Sequence, residues 1–195
     1  NSEAMLIYSR ILQDGEIITP NKDESIRYLK MSADKGNSEA MIIYSRILQN
    51  GEIVTPNKEE SIRYLKMSAD KGNSEAMFTY SRILQNGEGI KINKEESLRY
   101  LKMSADSGND SAMNHYAIIL YNGDGIEINK RESARYFKMS ADLGNDKAMF
   151  NYSRMLKNGD GISPNQEEYI RYLKMSADSG NETAMDKYGC LLYYG

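Results

Sequence analysis

"RYLKMSADKG" fills residues 27–36 and returns with few changes at 63–72, 99–108, 135–144 and 171–180. The rest of the chain keeps the same step. Ala4, Ala40, Ala76, Ala112, Ala148 and Ala184 are each 36 residues apart, so no insertion interrupts the series. Repeats 1–36, 37–72, 73–108, 109–144 and 145–180 are complete, and 181–195 begins a sixth. A fixed step of this size marks a solenoid, in which each unit buries its apolar face mainly against its neighbours. Residues 1–36 and 37–72 differ only at Leu6/Ile42, Asp14/Asn50, Ile18/Val54 and Asp23/Glu59. Recurrence therefore partly records duplication and does not by itself prove need.

Composition agrees with a folded chain and narrows its partners. At 40% hydrophobic and 27% charged residues there is enough apolar content for a core. The net charge is -3 with both signs interspersed, which argues against nucleic acid as a partner. The single cysteine, Cys190, cannot form an internal disulfide, and no apolar run is long enough for membrane insertion. The expected setting is cytoplasmic. The first residue is not methionine and lies in a helix cap, so an upstream segment is expected, and this leaves the endoplasmic reticulum lumen open.

Within one repeat the signals are helical. Ala40, Met41, Tyr44, Ser45, Ile47 and Leu48 form one stripe of a 3.6-residue helix, helix A, over positions 2–13 of the repeat. Ser61, Ile62, Tyr64, Leu65, Ser68 and Ala69 form the stripe of helix B. Between them "NGEIVTPN" (50–57) holds Gly51 and Pro56, breakers at either end of a loop. Asn57 with Glu60 caps helix B, and the pattern recurs at Asn21/Glu24, Asn93/Glu96, Asn129/Glu132 and Asn165/Glu168. Gly72 ends helix B and Asn73 caps the next helix A, a link short enough to force a sharp reversal. The fold class read from these features is all-α, a solenoid of helical hairpins in a single domain spanning 1–195.

The pattern over 72–108 resembles the Sel-1-like repeats, relatives of the tetratricopeptide repeats. Gly87, Gly89 and Ile90 match that family's G-x-G-V loop, Ser81 its small residue after the helix A aromatic, Tyr100 its helix B aromatic, and Ser104-Ala105 before Gly108 its A-A pair. The resemblance covers the whole chain, whereas tetratricopeptide repeats step by about 34 residues. Ile17 and Ile53 replace the second loop glycine in the first two repeats, which puts the path of those loops in doubt. The resemblance implies a right-handed superhelix without catalysis, serving as a protein-interaction adaptor.

On that frame the repeated decapeptide reads as packing. Tyr28, Leu29, Ser32 and Ala33 share a buried face, while Arg27, Lys30 and Asp34 form a solvated strip of ion pairs. Met31, Met67, Met103, Met139 and Met175 are expected between adjacent B helices, with an exposed contact row as the alternative. Function is expected where repeats differ on the exposed side, at helix A positions 3, 6, 7, 10, 13 and 14, along the concave surface. One row reads Arg10, Arg46, Arg82, Ile118, Arg154, Cys190 and another Gln13, Gln49, Gln85, Tyr121, Lys157, Tyr193. The arginines can grip carboxylates of a protein or peptide partner, or be ordinary solvated helix formers. In repeat four Asn114, His115, Ile118 and Tyr121 interrupt both rows and form the pocket candidate. The partner-binding set is Arg46, Arg82, Asn114, His115, Ile118, Tyr121, Arg154 and Lys157.

Chemistry of other kinds finds little support. His115 is the only histidine, a poor basis for a zinc site, and "NGDGIEINK" fails as a calcium loop because Leu120 and Arg131 would occupy ligand positions. No nucleophile motif or phosphate-cradling loop is present, so neither enzyme nor cofactor is expected. The leading reading is a non-catalytic interaction scaffold. The alternatives are a regulatory or targeting module of a larger enzyme and an RNA-binding helical repeat. The final helix A, with Tyr188, Leu191 and Leu192, is expected to cover repeat five and to fray or self-associate.

Overall fold

The computed structural model describes residues 1–14, 19–51 and 54–194. Among the described residues there are eleven helices and no strand: α1 (Ser2–Asp14), α2 (Lys22–Asp34), α3 (Ser38–Asn50), α4 (Lys58–Asp70), α5 (Ser74–Asn86), α6 (Lys94–Asp106), α7 (Asp110–Asn122), α8 (Lys130–Asp142), α9 (Asp146–Asn158), α10 (Gln166–Asp178) and α11 (Glu182–Tyr194). Odd-numbered helices are the A helices and even-numbered ones the B helices. The fold is an α-solenoid of 36-residue helical hairpins. The chain divides into two compact units, Asn1–Tyr100 and Leu101–Gly195. In the first, α1 packs on α2 and α3 on α4, and α2 and α4 each pack on the following A helix. In the second the same order joins α7 through α11.

The helix boundaries follow the expected caps. Asn57 Oδ1 accepts the Glu60 N–H at 3.0 Å, and Asn73 Oδ1 accepts the Ala76 N–H at 2.9 Å. Gly72 leaves α4 at φ 93°, a left-handed angle that a β-carbon would oppose. Its N–H and that of Asn73 donate back to Ala69 and Ser68 carbonyls, so three residues reverse the chain between α4 and α5. The loop positions Ile17 and Ile53 lie outside the described residues.

Serine takes the small positions where helices approach closely. Ser61 Oγ donates to the Ser45 carbonyl at 2.8 Å and Ser68 Oγ to the Ser38 carbonyl at 2.7 Å, each bond clipping B to A within one hairpin. The equivalent bonds recur at Ser25, Ser32, Ser133, Ser140 and Ser176. Among the described residues no buried side-chain nitrogen or oxygen lacks a partner, as burial of polar groups requires.

The helix B tyrosine does two things at once. Its ring meets the helix A tyrosine edge to face, with centroids 5.1 Å apart for Tyr44–Tyr64 and 5.0 Å for Tyr116–Tyr136, a geometry that adds to area burial. Its hydroxyl crosses to the preceding repeat: Tyr64 donates to Asp34 at 2.5 Å, Tyr136 to Asp106 at 2.5 Å, Tyr172 to Asp142 at 2.9 Å, and Tyr100 to Asp70. Three of these carboxylates are also held by a lysine one turn earlier, as in Lys66–Asp70 at 2.8 Å, Lys102–Asp106 at 2.6 Å and Lys138–Asp142 at 2.7 Å. The strip expected to be only solvated is thus also a seam between repeats.

Two expectations are corrected, at helix A position 6 and at Leu192. Helix A position 6 is buried in three repeats, not exposed: Leu6, Ile42 and Asn114 are each 3–4% accessible, and Phe78 and Phe150 are half-buried. The reason is visible at Ile42, which shares a core with Leu65, Ala76 and Met77 and so faces the next repeat. The methionine row falls between its two expected readings: Met31, Met103 and Met175 are just over one-third exposed, and Met67 packs against a core that includes Leu29 and Ala33 of the preceding helix B. Arg63 and Arg135 lie against the sulfurs of Met67 and Met139 at 3.7 and 3.3 Å. Leu192 is 70% exposed and does not cover repeat five. Its counterpart Leu48 is buried in a core that includes the helix B residue Tyr64, so this position faces its own hairpin partner.

The seam predicts a pH dependence. Burial works to raise Asp70, Asp106 and Asp142, but hydrogen bonds from lysine and tyrosine outweigh it and hold all three carboxyls below their ordinary range. Burial first, and then the bond to Asp34, pushes the Tyr64 hydroxyl up to about 12. The carboxylate contribution is therefore full above the unfolded value near 4 and lost as pH falls through the lowered folded values. The Tyr64 contribution is full below about 10 and lost towards about 12. Urea midpoints followed by circular dichroism should fall on both flanks. Tyr136→Phe should lower stability by about 1–2 kcal/mol at neutral pH and flatten the acid limb.

Candidate interaction site

The arginine row is not uniform. Arg46 is paired with Glu75 of the next repeat, as Arg10 is with Glu39 at 2.6 Å. All four side chains are about half exposed, so each pair contributes little and the arginines are readily released. Arg82 is exposed and makes no ion pair among the described residues of the first unit; Arg154 is in the same position in the second. The sequence explains the difference, because the position held by Glu39 and Glu75 becomes Ser111, Lys147 and Thr183 in later repeats.

In the second unit Ile118, Tyr121 and Arg154 come together around a cavity of about 280 Å³, between α7, α8 and α9. Phe137 and Met155 line it although they are only 3% and 2% accessible, so the cavity reaches down to the core. Asp160, from the loop after α9, closes one side. Gly159 leaves α9 at φ 75°, and Gly161, at φ 72°, packs so closely on the Lys130–Arg131 backbone that an added β-carbon would lie 2.4 Å from the Lys130 carbonyl carbon. That approach sets Asp160 beside α8, where its oxygens accept Lys130 Nζ at 2.6 Å and the Tyr121 hydroxyl at 2.9 Å. These two bonds, first that of Lys130, outweigh burial and hold the Asp160 carboxyl below its ordinary range. Lys130 also stands 4.9 Å from the Tyr121 ring centroid. The cavity's one carboxylate is thus already neutralised, whereas the Arg154 guanidinium is not.

The remaining predicted residues are distributed unevenly. Asn114 is buried behind the cavity, and its Oδ1 accepts Asn151 Nδ2 at 3.2 Å. His115 is exposed on α7 outside the cavity lining, and Lys157 is exposed with its ammonium 5.4 Å from the Tyr169 ring. Arg46 and Arg82 belong to the first unit. Sequence reasoning missed Phe137, Asn151, Met155 and Asp160. The first three carried a signal, since each departs from the Leu, Ile and Ile of repeats one and two at its position.

The five repeats match the Sel1 repeat family model at residues 2–37, 38–73, 74–109, 110–145 and 146–181. The chain belongs to the Sel1 repeat family. No curated protein matches it. Among solved structures it is similar to a Sel1 repeat protein from Oxalobacter formigenes, at 22% identity and a TM-score of 0.84 over 98% of this chain and 78% of that one. It is also similar to c5321, described as a protective antigen of uropathogenic Escherichia coli strains with an SLR fold, at 22% identity and a TM-score of 0.82. The chain is covered completely in that match but spans only 42% of the antigen. Cysteine rich protein B of Helicobacter pylori matches 70% of this chain and 98% of its own at 16% identity, with a TM-score of 0.54. At these identities the likenesses show the fold. Sel1 repeats are in general protein-interaction repeats, and no helix of the described chain is long and apolar enough to cross a membrane.

A buried asparagine where Leu6 and Ile42 stand in other repeats is a departure that packing alone does not ask for. Asn114→Leu is therefore expected to leave thermal stability unchanged or raise it by about 1 kcal/mol, measured by calorimetric unfolding. A loss above that size would make the asparagine pair a structural element.

Proposed function

We propose that this Sel1 repeat chain is a non-catalytic scaffold that holds a protein or peptide partner on its helix A side. The residues put forward for contact are Arg46, Arg82, Asn114, His115, Ile118, Tyr121, Arg154 and Lys157, with Asn114 acting from beneath the surface. The observation that carries the reading is a contrast within the chain. Buried stripes, caps and the tyrosine seam recur from repeat to repeat, while exposed helix A positions do not, and three of the variable positions meet at one cavity. Residues that vary on a repeated frame are free of packing demands and available for recognition. Residues 1–195 acting as one repeat domain belongs to the same proposal, as does a cytoplasmic, reducing setting, in which the exposed Cys190 stays a thiol.

The test is capture of partners by proximity labelling and pull-down, comparing the parent with a variant carrying Arg46→Ala, Arg82→Ala and Tyr121→Ala. Partners bound saturably by the parent and lost in the variant, with helicity intact, are the expected result. Survival of every partner would remove the helix A side from consideration and move attention to the half-buried methionines.

Self-association through α11 is proposed as a second property. Only Ala184 of this helix is buried, while Met185, Leu192, Tyr193 and Tyr194 are 48–81% exposed. Sedimentation over a range of concentrations should show a dimer that Leu192→Glu with Tyr193→Glu abolishes; a monomer at all concentrations rules it out.

A further inference from the structure

The cavity of the second unit has a counterpart in the first, and the two differ in a directed way. Arg46, Gln49, Leu65, Thr79, Ile83 and Glu88 line a space of only about 40 Å³, room for about one water. Each is replaced 72 residues later by Ile118, Tyr121, Phe137, Asn151, Met155 and Asp160, which line the cavity of about 280 Å³. In the smaller cleft Arg46 is a lining residue and pairs with Glu75. In the larger one both members of that pair have changed, to Ile118 and Lys147, so the pair is absent. Loss of either residue alone would be drift. Loss of both, with a change of sign at the position of Glu75, leaves a cleft whose lining includes the exposed Arg154, and neither Arg154 nor the exposed Lys147 makes an ion pair among the described residues of the second unit.

We infer that the cleft between α7 and α9 is a specificity pocket for a peptide segment in which a carboxylate sits beside an aliphatic or aromatic side chain. Phe137, Met155 and Ile118 form the apolar wall for that side chain. Arg154 offers forked donors to the carboxylate, and Asn151, which lines the cavity, can offer its amide oxygen to a peptide N–H while its Nδ2 stays bonded to Asn114. Asp160 does not repel the ligand, because Lys130 and Tyr121 occupy its oxygens. The volume suits one side chain and is too small for a dinucleotide or comparable cofactor. The inference rests on the scaffold reading and assigns its ligand chemistry.

The experiment is binding of the full chain to an array of capped octapeptides of three kinds: Asp or Glu next to Leu or Phe, Lys next to Leu or Phe, and Asp or Glu among serines. The expected result is selection of the first kind. Ile118→Arg with Lys147→Glu, which transplants the Arg46–Glu75 pair, should abolish that selection while leaving the unfolding temperature within the parent's range. Arg154→Gln should weaken the same peptides about tenfold, the loss of one charge-assisted hydrogen bond. The second variant keeps the test decisive if the first does not fold. Unchanged selection in both variants overturns the pocket and leaves the scaffold reading standing. Equal binding of the Lys-containing peptides overturns the charge assignment. Binding of no peptide of any kind overturns the peptide-scaffold reading together with the pocket.

Discussion

Each hairpin is organised around the helix B tyrosine, which must satisfy two partners from one position. Its ring is fixed edge to face against the helix A tyrosine of its own repeat, and from the second hairpin on its hydroxyl reaches the aspartate at the end of the preceding B helix. The first contact sets how the two helices of a hairpin cross; the second sets where one hairpin stands on the next. Because the ring is buried and the hydroxyl has a charged acceptor, neither the crossing nor the register can slip without exposing aromatic surface or stranding a hydroxyl. The serine clips act on the same geometry from the other side, holding helix B to helix A carbonyls at distances that only a small side chain allows.

This arrangement limits which side chains are free of the stack. Helix B faces are used up by the seam, by arginines lying over the tyrosine rings, and by Lys–Asp pairs that brace the carboxylates. Helix A has one face in the core, and even its position 6 is drawn in by the next repeat. What remains are positions 3, 7, 10 and 13, which can change without disturbing the stack. In the first unit Arg10 and Arg46, at position 10, pair with Glu39 and Glu75, at position 3; in the second no such pair forms among the described residues, and a cavity lies there. Asn114, buried and bonded to the cavity-lining Asn151, sits where Leu6 and Ile42 stand in the first two repeats, a local inconsistency that packing alone does not ask for.

The sequence by itself determined the all-α class, the 36-residue period, the helix caps at asparagine, the reversal at Gly72 and nearly all of the buried stripe. These follow from local rules: helix periodicity, N-cap chemistry and the freedom of glycine at positive φ act over a few residues, and repetition displayed them five times over. It also marked Ile118 and Tyr121 as departures from their rows and placed Arg154 among the candidate contacts. Only the tertiary structure decided that Asn114 is buried, that Asp34 and its counterparts are acceptors between repeats, that Arg46 is tied to Glu75, and that Phe137, Met155 and Asp160 complete a cavity. The contacts that decide these points join residues about 30 to 40 positions apart, roughly one repeat, so no helical wheel drawn on a single helix contains them. A hydrophobic stripe tells which face a helix buries, but which polar side chain finds a partner depends on the distance and angle to the neighbouring repeat, and those are fixed only when the hairpins stack.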